Sequence, residues 1–166
     1  MNLWFIAVLV ITLGFFFWEN LLKFLSSRKV DKLPEEVQDV YDEEKYKTSR
    51  AYSREKNLFG IGTSTIQLIV FLLFFLLGGF SWLDLQVREW VDLKVFDFLP
   101  AFFKEKEILH GLLFISALVF ASGVLGLPAS LYSTFVIEEK YGFNKTTLKT
   151  FFKDRLVGLL IGTLLG

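Results

Sequence analysis

A chain of 166 residues has the length of one domain, yet 53% of its residues are apolar and twenty are Phe, a balance that excludes an ordinary soluble domain and indicates a polytopic membrane protein. Its 18 basic and 18 acidic residues cancel, so no overall field points to nucleic acid or to an acidic partner. Having no Cys, the chain can form neither disulfides nor Cys-ligated metal sites.

In chain order, residues 1–18 lack a basic start and a small-residue cleavage pattern, which reads as a retained helix rather than a cleaved signal. A first span is expected over residues 2–25. No charge occurs from residue 2 to 18, and Leu21, Leu22 and Leu25 continue the apolar face past Glu19 and Lys23. About 20 residues of helix cross a bilayer core of about 30 Å, and Lys23 can snorkel to its edge.

Residues 34–57 are hydrophilic but patterned. Pro34 suits a first helical turn, Glu35 and Glu36 suit its positive end, and Leu33, Val37, Val40 and Tyr41 share a face. The spacing predicts an amphipathic helix, acidic in its first half and basic in its second, with Glu43 and Lys47 at i,i+4. Its charges read as a solvated face; the sharper alternative has Arg50, Tyr52, Arg54 and Lys56 touching anionic lipid or lining a polar chamber. A second span, uncharged throughout, is expected over residues 58–83.

From Asp84 the chain returns to water, but Leu83, Val87, Trp90, Val91 and Phe98 recur at helical spacing. Either an interfacial helix over residues 83–99, with Trp82 and Trp90 at headgroup depth and Pro100 ending it, or a loop folded onto the protein fits this pattern. A third span is expected over residues 108–137, kinked at Pro128. In it Ser122, Gly126 and Ser130 recur at every fourth position, the spacing that lets backbones approach in lipid. His110, the one His, cannot form a His-based metal site alone and is expected at the interface.

The third span leads into YSTFVIEEKYGFNKTT, residues 132–147, which reads as a tight helix-to-helix corner. Gly142 stands where a C-cap needs a left-handed residue, and Asn144 is a suitable N-cap for a helix from Lys145 onward. Glu138 and Glu139 face the negative end of a helix dipole and need compensation. A fourth apolar segment, residues 156–166, is too short to span a membrane. Its glycines, Gly158, Gly162 and Gly166, form a stripe expected to pack on Ser122, Gly126 and Ser130. The simplest expectation is that the natural protein continues past Gly166.

Two strings, TSRAYSREKNLFG (residues 48–60) and FVIEEKYGFNKTT (residues 135–147), resemble the N-terminal membrane domain of the Ste24-type CAAX prenyl proteases, the integral-membrane branch of the M48 zinc metallopeptidases. The resemblance implies an all-α polytopic membrane fold whose helices form part of an α-helical barrel around a polar chamber. It further implies proteolytic processing of CAAX or membrane-associated proteins, and contact with the lipid bilayer, with prenylated substrates and with the protein's own C-terminal protease domain. Glu138, Glu139 and Asn144 match its pattern and become candidates for lining the chamber or docking that domain. Helix capping, and pairing of the acids with Lys140, Lys145 or Arg155, is the plainer explanation of them.

The family's zinc is held by two His of an HExxH helix and by a later Glu. None of these occurs here, so no catalytic residue and no cofactor is expected in this chain, and zinc is expected in a catalytic region outside it. A non-catalytic scaffold or adaptor remains the alternative, and a transporter half should show an inverted repeat that is not evident. Lys and Arg number nine in residues 19–57, four in 82–107 and five in 138–155. The positive-inside rule therefore puts the first and third of these segments in the cytoplasm and the N-terminus outside or in a lumen. The membrane is expected to be the inner one in a bacterium or the endoplasmic reticulum in a eukaryote.

Overall fold

The computed structural model describes residues 3–28, 42–92 and 105–165, and among these every regular element is helical. In order they are α1 (Leu3–Ser27), α2 (Glu43–Leu76), α3 (Gly79–Val91), α4 (Lys106–Tyr132), which runs on into a π-helical segment (Ser133–Glu138), and α5 (Leu148–Leu165). Among the described residues three helical runs are long and apolar enough to cross a membrane: Leu3–Ser27, Glu43–Leu76 and Lys106–Glu138. None of the apolar stretch of the first two, and only 6% of the third, is buried within the chain, so these surfaces are suited to lipid rather than to water.

The chain divides into two compact units, Met1–Lys29 with Asn57–Ala129, and Val30–Lys56 with Ser130–Gly166. In the first, α1 and the apolar part of α2 form an antiparallel pair. Phe5 stacks on Phe75 with ring centroids 4.8 Å apart. Some four turns further along α1, Asn20 Oδ1 accepts a 2.8 Å hydrogen bond from the Ser64 hydroxyl, while its amide donates to the Phe16 carbonyl at 2.8 Å. At the same end Lys23 pairs with Glu19 at 2.8 Å and lays its aliphatic stem near Gly60. Side-chain groups inside lipid need partners within the protein, and Thr63, Ser64 and Thr65 find theirs on carbonyls one turn back.

Helix α2 differs from the sequence reading at both ends. Charged and apolar stretches form one continuous helix from Glu43, with the Glu43–Lys47 pair made at 2.8 Å. At about 1.5 Å per residue, 34 residues exceed the bilayer core, so the charged turns extend beyond the apolar layer. The expected residues 34–41 of an amphipathic helix lie outside the described residues. The other end stops at Leu76 rather than reaching Leu83, because Gly78 takes φ 79°, a left-handed turn that is routine only for Gly. The next residue is Gly for a second reason: a Cβ at Gly79 would stand 2.3 Å from the Phe74 ring. Phe80 completes an edge-on aromatic cluster with Phe71, Phe74 and Phe75.

Helix α3 therefore begins four residues before the expected interfacial helix. It buries Leu83 and Val87 at i,i+4 and leaves Trp82 and Trp90 exposed, which is the distribution of a helix lying at an interface. The expected continuation over residues 93–99 and the stop at Pro100 fall outside the described residues. Helix α4 runs through Pro128 without ending, and its irregularity falls further on, as the π segment. Freed from an i→i−4 partner at Pro128, a helix can absorb the missing donor by local adjustment when it lies in a membrane.

Candidate functional site

The second unit holds the corner that the sequence singles out. The π segment, a form frequent at functional sites, buries Ile137 almost completely, at 1% exposure. It ends at Glu138, and the chain closes in a Schellman motif: Phe143 N–H donates to the Glu138 carbonyl at 2.9 Å and Gly142 N–H to the Glu139 carbonyl at 3.0 Å. Gly142 takes φ 72°, the left-handed C′ conformation this motif requires.

The N-cap reading needs correction. Asn144 Oδ1 accepts from Thr146 N–H at 2.7 Å, a local turn, whereas Thr147 Oγ1 accepts from Thr150 N–H at 3.2 Å and so caps α5, which starts at Leu148. Asn and Thr both suit such local bonding. The threonine wins the cap because it stands three residues before a free helical N–H.

Both acids are committed, though not to the partners expected on α5 or within the corner. Glu138 Oε1 accepts from Lys56 Nζ at 2.8 Å, and the Lys56 ammonium also donates to the Tyr52 hydroxyl at 2.7 Å. Glu139 Oε2 accepts from the Asn144 amide at 2.9 Å. Lys140 turns instead to Glu55, whose Oε2 accepts from Lys140 Nζ at 2.7 Å and from the Tyr141 hydroxyl at 2.6 Å. Those bonds to the Glu55 carboxylate raise the pKa of both Lys140 and Tyr141 above their ordinary values; for Tyr141 partial desolvation adds to the effect. Around the ladder, the Tyr52 ring meets Phe143 at 4.8 Å and Tyr141 at 5.7 Å.

Residues 52, 55 and 56 lie at i, i+3, i+4, one face of a helix. The sequence reading takes Tyr52 and Lys56 as part of a solvated face or, in its sharper alternative, as facing lipid or a chamber, and it misses Glu55. Their spacing is the available signal; the partner stretch, more than eighty residues away, is not visible to it.

Of the two small-residue stripes, Ser130 is engaged by the Arg155 guanidinium, which also stands over the Phe151 ring at 5.3 Å. A Cβ at Gly126, Gly158 or Gly162 would meet no atom within 4 Å. An Arg reaching across with a long side chain engages Ser130. Gly166 lies outside the described residues, and Ser122 stays exposed.

No group of three His, Cys, Asp or Glu that could hold a metal occurs among the described residues, and the sequence has one His and no Cys. These residues do not fit a catalytic zinc of the HExxH type. With every carboxylate of the ladder held by a cation, phenol or amide, the arrangement can position and dock. It presents no paired nucleophile and base.

Residues 23–166 match the family described as CAAX prenyl protease N-terminal, five membrane helices. The chain is 36% identical over 168 residues to the "Probable CAAX prenyl protease 1" of Schizosaccharomyces pombe, covering 98% of this chain and 35% of that one. It is 34% identical to the CAAX prenyl protease 1 homolog of Oryza sativa, covering 96% and 37%. Among solved structures it resembles S. mikatae Ste24p with a TM-score of 0.78 at 27% identity, over 100% of this chain and 37% of that one. The chain thus spans little more than a third of the length of these relatives, and its all-α membrane fold is that of part of the Ste24p α-helical barrel. It belongs to the family of CAAX prenyl protease N-terminal membrane domains of the M48 peptidases.

Proposed function

We propose that this chain serves as the N-terminal membrane part of a zinc metalloendopeptidase of the CAAX prenyl protease type, acting on prenylated or membrane-associated proteins. The family match over residues 23–166 carries this reading. The geometry agrees with it: the two stretches that resemble the family, one holding Tyr52, Glu55 and Lys56 and the other Glu138, Lys140 and Tyr141, are tied together by the ladder. In this reading Glu138, Glu139 and Asn144 form a fixed polar floor against which the protein's own protease domain docks. Zinc and the catalytic residues belong to that domain.

The N-terminus lies outside or in the lumen, supported by the Lys and Arg distribution. Labelling a single Cys placed at Asp92 from outside intact cells should succeed and one at Asp42 should fail; the reverse overturns this topology. For the activity, membranes holding the full product of the gene are incubated with a farnesylated CAAX peptide. Cleavage that chelators abolish is expected, and the 166-residue chain alone should hold no stoichiometric zinc and cleave nothing. The second reading is a non-catalytic scaffold. It would be adopted if the full product, correctly inserted, binds the peptide without cutting it.

A further inference from the structure

Lys23, Lys45, Lys47, Lys56, Lys106 and Lys140 each stand within 3.8 Å of a carboxylate oxygen. Lys145, Lys149 and Lys153 are exposed and meet no carboxylate among the described residues. Lysine pairing thus stops at the entry to α5. Thr147 caps that helix, Lys149 and Lys153 share one face of it at i,i+4, and Lys145 stands two residues ahead of the cap.

The opposite row of α5 faces inward. Phe151 is buried edge-on against Phe135 of the π segment at 5.7 Å, and Arg155 reaches Ser130. At about 100° per residue, Lys153 lies across the helix from this row. Leu148, Phe152 and Leu156, all exposed, run beside the lysines, and Asp154 lies on their other flank. From Leu156 to Leu165 no charge follows, and Leu156, Leu159, Leu160 and Ile161 are exposed, a surface suited to acyl chains. Lys153 and Lys149 precede Leu156 by about one and about two turns, which puts their ammonium groups at the depth of the polar headgroups.

We propose that the lysines at the entry to α5 hold anionic phospholipid headgroups, their ammonium groups on the phosphates and Leu148 and Phe152 among the upper acyl carbons. A Lys ammonium acts on phosphate as a point charge, so the row selects the net charge of the lipid and not the shape of its headgroup. An acidic protein surface would match the lysines but not the exposed apolar row beside them, whereas headgroups and the chains beneath them accommodate both. The side that the positive-inside rule gives to residues 138–155 is also the one with the anionic leaflet. Lys56 of the other basic stretch is already matched by Glu138. The inference rests on the membrane fold and is independent of any protease activity.

The test uses the full chain in nanodiscs of phosphatidylcholine doped with phosphatidylserine or phosphatidylglycerol, with retained lipid read by native mass spectrometry. Both anionic lipids should be retained in preference to phosphatidylcholine, and less so as salt rises. Lys153→Gln should lower this preference about fivefold, the scale of one cation at a membrane surface, and Lys145→Gln, Lys149→Gln and Lys153→Gln together should abolish it. Lys153→Arg keeps the charge and should keep the preference. A control triple of Lys45→Gln, Lys47→Gln and Lys106→Gln removes as much charge from lysines that are already paired, and should leave the preference intact. Equal retention of the three lipids, preference for one anionic lipid alone, loss of preference in Lys153→Arg, or an equal loss in the control triple overturns the proposal. The single variant decides even if the α5 triple does not insert. A fall in melting temperature of the α5 triple in discs of pure phosphatidylcholine, greater than that of the control triple, would assign these lysines to an acidic surface of the protein itself and likewise overturn the lipid contact.

Discussion

The α1–α2 pair of the first unit and the corner of the second are held by opposite means. Along the pair, aromatic stacking and one Asn–Ser hydrogen bond face surroundings as apolar as themselves. In the corner, four side chains of a single π-helical exit and turn are each tied by a directed bond, around one enclosed Ile. The contrast follows from the solvent. In lipid there is little hydrophobic drive between helices, so packing is lateral and forgiving. Where water is present, apolar burial gains its full value, and charged groups can fix register because mispairing leaves a carboxylate unmatched.

The largest effect should therefore come from the smallest apolar core. Ile137→Ala removes a side chain that is 1% exposed, and buried Ile truncations cost about 2–5 kcal/mol. Thermal unfolding in detergent should show a greater loss for it than for removal of any single polar contact in either unit. A loss no greater than that of an exposed residue on α1 would mean that the corner, too, is held like a lipid-facing pair.

Glu138→Gln should come next, at about 1 kcal/mol, because the partner ammonium of Lys56 is partly solvated and keeps its bond to Tyr52. A double-mutant cycle with Lys56→Met isolates the pair. Coupling indistinguishable from zero would reduce the ladder to an incidental surface contact and sharpen the contrast in favour of Ile137 alone.

How much of this is legible in the sequence divides along the same line. Membrane spans follow from local composition, so three apolar helices can be read directly, and Gly142 announces its own left-handed turn. What fails is everything decided by residues far apart or by one backbone dihedral. The Lys56–Glu138 and Glu55–Lys140 pairs join stretches more than eighty residues apart in sequence, and nothing in either stretch says which acid meets which base. Gly78 looks like one more residue of an apolar run, yet its φ of 79° ends α2 early and starts α3. The glycine stripes show only a spacing, which is a necessary condition for close helix packing and not a sufficient one.

On the lipid-facing side, Asn20→Leu tests how little a polar staple contributes there. Ser64 keeps a 3.0 Å bond to the Ile61 carbonyl when Asn20 is lost, so no group is orphaned, and interhelical bonds of this kind average about 0.6 kcal/mol. A small downward shift in melting temperature is expected. A loss exceeding that of Glu138→Gln would invert the comparison, placing the specific hold in the membrane pair and not in the corner.

The smallest effect is a pH dependence confined to the corner. Lys140 and Tyr141 both have their pKa raised above the ordinary values of 10.5 and 10.0, first through the hydrogen bonds they donate to Glu55. A raised folded-state pKa means that the folded chain holds these protons more tightly than the unfolded one. The resulting stability is complete below the ordinary values and fades as pH climbs through the raised ones. Lys140 is exposed and Tyr141 only half-buried, so solvent screening should keep the slope shallow. Melting temperatures recorded from neutral pH to about pH 11 should decline more for the native chain than for Glu55→Gln, which lacks the carboxylate that holds the two protons. Parallel declines would show that the alkaline loss arises elsewhere, and that Glu55 binds Lys140 and Tyr141 no better in the folded chain than water does.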